Sequence, residues 1–148
     1  YKDTIFVIAA DHDVRVYGDD LVPVSRFHIP ALILGEGITP EKYEKIATQP
    51  DILATSLDLI GVNILNYPIQ GHSIFSDKKQ NIVLMQFNDY YALRENNKVA
   101  VIRPGKEALT FIYRDKKLNP TEHDINLEQD ALAFILTLDH LYNNNLHQ

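Results

Sequence analysis

The chain has 148 residues, of which 45% are hydrophobic and 23% charged, so it has the composition of a globular protein large enough for one domain with a hydrophobic core. Its formal net charge of -6 and its scattered basic residues argue against a nucleic-acid partner, and the lack of cysteine excludes disulfides, thiolate metal sites and a cysteine nucleophile. No apolar stretch reaches the roughly 20 residues that a membrane span needs, so we expect this chain to be soluble.

Two apolar runs in the first part of the chain predict strands over Thr4–Ala10 and Ile29–Leu34. Because both runs are continuously apolar and a polar loop separates them, they predict a sheet buried on both faces, as in α/β folds.

A short helix is predicted next. Pro50 and Asp51 are typical of a helix start, and Gly61 stands where a C-terminal cap belongs.

The second half of the chain predicts an antiparallel meander followed by a helix. Its four short β-rich runs, joined by polar turns, are Ile82–Phe87, Tyr90–Arg94, Val99–Arg103 and Leu109–Tyr113. The C-terminal helix is predicted to begin near Leu127, with Asn126 as its cap and Gln129 three residues further on. Residues 1–148 are thus predicted to form a single α/β domain.

The first apolar run ends in Asp11 and His12. A carboxylate and a neutral imidazole are good ligands for a divalent cation, and the carboxyl end of a buried strand is a common place for such a site. An Asp-His dipeptide also occurs by chance. Its position at the end of a strand is what favours a metal site over a random pair.

Four blocks of the sequence, in this order and at this spacing, resemble the sulfatase-like branch of the alkaline phosphatase superfamily. They are Asp3–His12, Arg26–Gly35, Gln49–Gly61 and Gly71–Phe75. Within that branch the chain looks most like the C-terminal part of the bacterial lipoteichoic-acid-synthase-like phosphoglycerol transferases, which carry blocks similar to Gln86–Leu93 and Val99–Lys106. The resemblance implies the C-terminal portion of a sulfatase-like sheet flanked by helices.

The resemblance also implies an activity: metal-dependent transfer of phosphoglycerol, acting on lipid- or glycan-linked phosphodiesters of the cell envelope. In such enzymes Mn²⁺ or Zn²⁺ polarises a phosphoryl oxygen, and a threonine is the nucleophile. Asp11 and His12 would be two metal ligands, whereas the nucleophile and another acidic ligand would lie upstream of this chain. We therefore expect the chain alone to be inactive and to hold the metal weakly. Asp13 replaces a glycine common in the family, and is either an acceptor for the His12 ring or an exposed loop acid.

Three residues are candidates for substrate contact: His28, Arg26 and His72. His28 precedes a predicted strand and could face the rim of the site. Arg26 could bind a phosphate through its guanidinium fork, as could Arg15. His72 lies in a Gly-x-Ser turn that resembles a structural feature of the family. A structural histidine, solvated arginines and an ordinary loop residue are the alternatives at these positions. His123, His140 and His147 are predicted to be surface residues.

The resemblance implies an extracytoplasmic location, in the periplasm or at the outer face of the cytoplasmic membrane, because the family's transmembrane helices precede its catalytic domain. The implied partners are the N-terminal part of that domain and a phospholipid or glycan substrate. We also expect the chain to self-associate, because a parallel strand separated from its neighbours leaves an unpaired edge and exposed apolar surface.

Two alternatives remain open at the level of sequence. One is a phosphoethanolamine transferase or a sulfate-ester hydrolase of the same superfamily. The identity of the upstream nucleophile would discriminate between transferase and hydrolase, because it is either a threonine or a cysteine or serine that becomes formylglycine. The other is a non-catalytic binding or assembly module that retains the fold. The intact Asp11-His12 pair disfavours this second alternative, and failure of the parent protein to bind metal would favour it.

Overall fold

The structure, a computed structural model, describes residues 2–13, 20–77 and 81–146. These residues form two compact units, the first from 2–12, 29–77 and 81, and the second from 13, 20–28 and 82–146. The units are not divided by a single cut, because the chain leaves the first unit after His12 and returns to it at Ile29. The single domain expected from the sequence stays a prediction.

The first unit contains, in chain order, strand β1 (Phe6–Ala9), strand β2 (Ala31–Leu34), helix α1 (Gln49–Leu59) and a 3-10 turn at Ile64–Asn66. β1 and β2 pair antiparallel, with Phe6 opposite Leu34 and Ile8 opposite Leu32. All four residues of β1 are exposed. The predicted burial on both faces is therefore wrong for this chain, because a continuous apolar run shows that both faces are apolar but not which element covers them.

One face of this hairpin is entirely apolar. Side chains alternate between the faces of a strand, so the two register pairs Phe6–Leu34 and Ile8–Leu32 share one face. Their exposed fractions are 44%, 41%, 58% and 50% in that order. Four large exposed side chains on one sheet face form a patch of the kind that marks an interaction surface.

Helix α1 begins and ends where the sequence predicts. Thr48 is the N-cap, and a capping box joins it to Asp51, with proline in the first turn. At the other end Gly61 has a φ of +78°, a left-handed conformation in which glycine is favoured. The N–H of Gly61 donates to Asp58 and that of Val62 to Leu57, the paired bonds of a Schellman motif.

The second unit is a five-stranded antiparallel meander in the strand order β3-β4-β5-β6-β7, with one long helix. Its elements are a 3-10 turn (Val24–Phe27), β3 (Ile82–Phe87), β4 (Tyr90–Glu95), β5 (Lys98–Ile102), β6 (Leu109–Arg114), β7 (Lys117–Pro120) and α2 (Ile125–Asn143). The four predicted strands are confirmed. Strand β7 was not predicted, because it is short, polar and ends in proline, features that disfavour a strand except at a sheet edge.

Helix α2 begins two residues earlier than the sequence predicts, and the predicted cap is wrong. Asp124, rather than Asn126, is the N-cap, and its side chain accepts a hydrogen bond from the N–H of Leu127. Asn126 lies inside the first turn. Asparagine and aspartate are almost equally good caps, so the choice between them depended on contacts with the sheet that the local sequence does not show.

The sheet of the second unit has a core on each face. On one side Leu93 and Ala100, opposite each other in the register, pack with Leu127 and Ala131 of α2. The core on the other face consists of Val22, Val24, Met85, Ala92, Val99, Val101 and Phe111. Because a segment from residues 20–28 covers this second face, the meander is enclosed on both sides within its own unit. In the described part of the chain, no helix is long and apolar enough to cross a membrane.

Candidate functional site

Asp11 and His12 lie in the turn that follows β1. The backbone N–H of Ala10 donates to the carbonyl oxygen of Pro30 at 3.1 Å, which continues the antiparallel ladder one residue beyond the strand. The side chains of Asp11 and His12 follow immediately and are 86% and 71% exposed. The hairpin therefore presents both predicted ligands to solvent from a fixed point of the backbone.

A glutamine of α1 holds the same turn. Gln49 Nε2 donates to the carbonyl oxygens of Ala10 and Asp11, at 3.2 and 2.9 Å. The backbone N–H of His12 donates in turn to Oδ1 of Asp11 at 2.9 Å. Sequence reasoning missed Gln49, because its contacts reach 38 and 39 residues back along the chain and leave no local pattern.

The two predicted ligands have their donor atoms side by side. Nε2 of His12 lies 3.4 Å from Oδ2 of Asp11. This is longer than the roughly 2.7–2.9 Å of a charge-assisted hydrogen bond. It equals the distance, about 3.4 Å, between two ligand atoms that each lie about 2.1 Å from a tetrahedral metal ion. The separation is therefore one at which both atoms could coordinate the same cation.

The donor set fits part of a metal site. One carboxylate and one imidazole suit Mn²⁺ or Zn²⁺, but zinc sites in proteins take three or four protein ligands. Over residues 2–13, 20–77 and 81–146, no group of three or more histidine, aspartate or glutamate side chains is placed to hold a metal ion. A complete site would need ligands in addition to Asp11 and His12.

A buried carboxylate fastens a second predicted segment to α1. Asp51 is 4% exposed, and its Oδ2 accepts from the N–H and the hydroxyl of Thr48 at 2.8 and 2.9 Å. Its Oδ1 accepts from the backbone N–H of His72 at 2.9 Å. The fully buried Thr55 hydroxyl donates to the carbonyl of Asp51 and accepts from the N–H of Ile74 at 3.0 Å. The segment that carries His72 is thus bound to the first two turns of the helix.

The Gly-x-Ser turn owes its glycine to this close approach. A Cβ at Gly71 would lie 2.2 Å from the carbonyl carbon and oxygen of Pro50 and 2.5 Å from the nitrogen of Asp51. Ser73 is buried at 5% exposure, whereas the His72 side chain is exposed. The first turn of α1 therefore holds the Asp11-His12 turn through Gln49 and the His72 segment through Asp51.

The other two substrate candidates belong to the second unit. Arg26 is exposed in the 3-10 turn, and its Nη1 lies 3.8 Å from Oδ2 of Asp13. His28 is exposed at the end of the same turn. The Asp13 side chain is 34% exposed, so it carries an ion pair at the surface of this unit. Arg15 and its role as a phosphate ligand lie outside the described residues.

A second Asp-His dipeptide, Asp139-His140, lies in α2 and is exposed. Consecutive residues on a helix point about 100° apart, so this pair does not share a common direction. The His140 ring instead contacts Nδ2 of Asn144 at 3.2 Å. His123 is also exposed, in agreement with prediction, and His147 lies outside the described residues. Only the backbone context distinguishes the two dipeptides.

The start of α2 carries a polar network that sequence reasoning missed. The Glu128 carboxylate accepts from the buried Thr110 hydroxyl at 2.7 Å and contacts Nδ1 of His123 at 2.8 Å. Nζ of Lys98 donates to Asp124 at 2.6 Å. This bond raises the pKa of Lys98, and together with the N–H of Leu127 it lowers the pKa of the Asp124 carboxyl. These contacts anchor α2 to β5 and β6.

No protein-family model matches the chain. Among solved structures, it is similar to the crystal structure of a protein in the alkaline phosphatase superfamily from Vibrio parahaemolyticus, with a TM-score of 0.91 and 35% sequence identity. The match covers 99% of this chain and 37% of the Vibrio chain. This likeness supports the alkaline phosphatase superfamily and the mixed α/β fold with antiparallel sheets and a C-terminal helix. The chain spans well under half the length of that protein.

Proposed function

We propose that this chain is the C-terminal part of a metal-dependent phosphoglycerol transferase of the alkaline phosphatase superfamily. Asp11 and His12 supply two ligands of its Mn²⁺ or Zn²⁺ ion. The observation that carries the proposal is the 3.4 Å separation of Asp11 Oδ2 and His12 Nε2, on a turn held by Pro30, the residue before β2, and by Gln49 of α1. The likeness to a superfamily protein supports it, because that protein extends well beyond the region matched here.

In this proposal the metal, when bound, polarises a phosphoryl oxygen of the substrate. The Asp11 carboxylate contributes negative charge and the His12 ring a nitrogen lone pair, while the threonine nucleophile and a further acidic ligand belong to the rest of the catalytic domain. The chain alone is then inactive. The substrate is a lipid- or glycan-linked phosphodiester of the cell envelope, and the whole protein is extracytoplasmic and tethered by transmembrane helices outside this chain.

Among the candidates for substrate contact, His72 has the most structural support. Its backbone N–H is bonded to Asp51, two residues from the Gln49 that holds the Asp11-His12 turn. One helical turn rises about 5.4 Å, so the two segments are fastened to nearly the same place on α1. Arg26 and His28 lie in the other unit and stay candidates on their sequence alone.

The apolar face of the hairpin is the proposed contact surface for the rest of the catalytic domain. It presents four large exposed side chains, of which Ile8 and Leu32 are 58% and 50% exposed. Exposure of such a face is unfavourable by about 25 cal/mol for each square ångström of apolar surface, so a covering element would stabilise it. Without that element, the same surface would promote self-association of this chain.

The experiment that tests the proposal is a calorimetric titration of the chain with MnCl₂ and ZnCl₂. We expect weak binding at one site that disappears in the double variant Asp11→Ala, His12→Ala. The matched control is Asp139→Ala, His140→Ala, which removes the same two residue types from α2 and should leave binding unchanged. Loss of binding in both double variants, or in neither, would show that Asp11 and His12 are not a metal site.

A further inference from the structure

We propose that Gln49 is a positioning residue for the Asp11-His12 pair, an inference that rests on the metal site proposed above. Its amide is the link between α1 and the turn, with donor contacts of 3.2 and 2.9 Å to two consecutive carbonyl oxygens. Gln49 itself reaches neither donor atom in the structure. It acts on the ligands through the backbone that carries them.

The geometry gives this link a specific consequence. The carbonyl of Asp11 lies in the peptide plane that joins Asp11 to His12, and peptide planes are rigid. The carbonyl of Ala10 lies in the preceding plane. Because one amide group holds both carbonyls, it fixes the two planes relative to each other, and with them the directions in which the Asp11 and His12 side chains leave the backbone. The 3.4 Å separation of the two donor atoms depends on those directions.

Gln49 is anchored well enough to act in this way. It is the first residue of α1, directly after the N-cap Thr48, whose capping box with Asp51 fixes the first turn. The helix behind it is held by the buried residues Ala54 and Thr55. On the opposite side of the turn, Ala10 is bonded to Pro30 of the other strand segment. The Asp11-His12 turn is thus held between two fixed elements of the same unit.

The Gln49 side chain is itself exposed, so its role can be separated from a role in folding. Gln49→Met keeps the length and the helix propensity of the side chain but removes the Nε2 amino group that donates both hydrogen bonds. The matched control is Gln129→Met, at an exposed glutamine near the start of α2. Both substitutions should leave the free energy of unfolding almost unchanged, because surface changes of this kind have small effects.

The test measures two properties of the full chain. The first is the dissociation constant for Mn²⁺ and Zn²⁺, which should rise about tenfold in Gln49→Met and stay constant in Gln129→Met, since groups that orient metal ligands typically affect affinity by at least this factor. The second is the carbonyl ¹³C chemical shift of Ala10 and Asp11 without metal, which should change in Gln49→Met alone because two hydrogen bonds are lost.

Unchanged metal affinity in Gln49→Met would overturn the positioning role, even if the carbonyl shifts move, provided that Asp11→Ala, His12→Ala abolishes binding. In that case the proposed metal site stands without Gln49. If the Asp11→Ala, His12→Ala variant binds metal as the wild type does, the metal site is absent and the positioning role falls with it. A loss of affinity that accompanies unfolding would also refute the proposal, because the effect would then be structural.

Discussion

Replacing Gly71 by alanine tests the junction between α1 and the segment that carries His72. The added Cβ would lie 2.2 Å from the Pro50 carbonyl, where ordinary contacts begin at 3.4 Å. The segment must therefore retreat from the helix by about 1.2 Å, the difference between these distances, because the atoms it meets are backbone atoms that cannot rotate away. Overpacking of this kind typically costs about 1–3 kcal/mol.

A retreat of this size would break two hydrogen bonds. The N–H of His72 donates to the Asp51 carboxylate at 2.9 Å and that of Ile74 to the Thr55 hydroxyl at 3.0 Å. A bond to a charged group contributes about 1.5–3 kcal/mol and a neutral one about 0.5–1.5 kcal/mol. The same movement that relieves the clash also breaks the two bonds, so the chain does not suffer both costs in full. We therefore expect a destabilisation of about 2–4 kcal/mol, which is less than the sum of all terms.

The assay is amide hydrogen exchange in α1, which reports local opening of this unit. Protection of the buried Ala54 and Thr55 amides should fall by a factor of about 30–1000, the equivalent of about 2–4 kcal/mol. The control is Gly37→Ala. Gly37 has a φ of +81° and no atom within 4 Å of an added Cβ, so this substitution strains the backbone but causes no steric clash. Protection of α1 within tenfold of wild type in Gly71→Ala would refute the reasoning.

Two further predictions concern surface groups. Because the Lys98 bond lowers the pKa of Asp124, that carboxylate stabilises the fold at pH values above the ordinary aspartate pKa of about 3.9, and this stability is lost as the pH falls through the folded pKa. The raised pKa of Lys98 means that its contribution persists until about pH 10. Urea unfolding should therefore show that Lys98→Met is less stable than the wild type between about pH 5 and 10, with a difference that shrinks as the pH falls below about 4; a constant difference at all pH values would contradict it. The double variant Ile8→Thr, Leu32→Thr should self-associate less than the wild type in sedimentation at tens of micromolar. The control Leu136→Gln, at a side chain that is as exposed as Ile8 (58%), should leave self-association unchanged. A wild-type chain that sediments as a monomer would contradict this prediction.

Much of the fold is predictable because its signals are local. The proline and aspartate at the start of α1, the glycine at its end and the Asn88-Asp89 turn of the meander act through bonds within a few residues, so the sequence predicted them correctly. Asp11-His12 is a candidate site because it follows an apolar run, and its role stays a prediction. Asp139-His140 consists of the same two residues, so the dipeptide alone does not distinguish the two pairs. The distinction depends on the predicted strand that precedes Asp11-His12.

Short-range preferences and hydrophobic periodicity in the sequence are enough to predict two helices and four of the five meander strands, and they point to the candidate ligand pair. Three features follow only from the packed fold: the antiparallel pairing of β1 with β2, the contact of Gln49 with the Asp11-His12 turn, and the bond that fastens the His72 segment to Asp51. Those contacts join residues 21 to 39 positions apart. Their partners are selected by the packing of whole elements, and an apolar or polar residue alone does not specify which element it will meet.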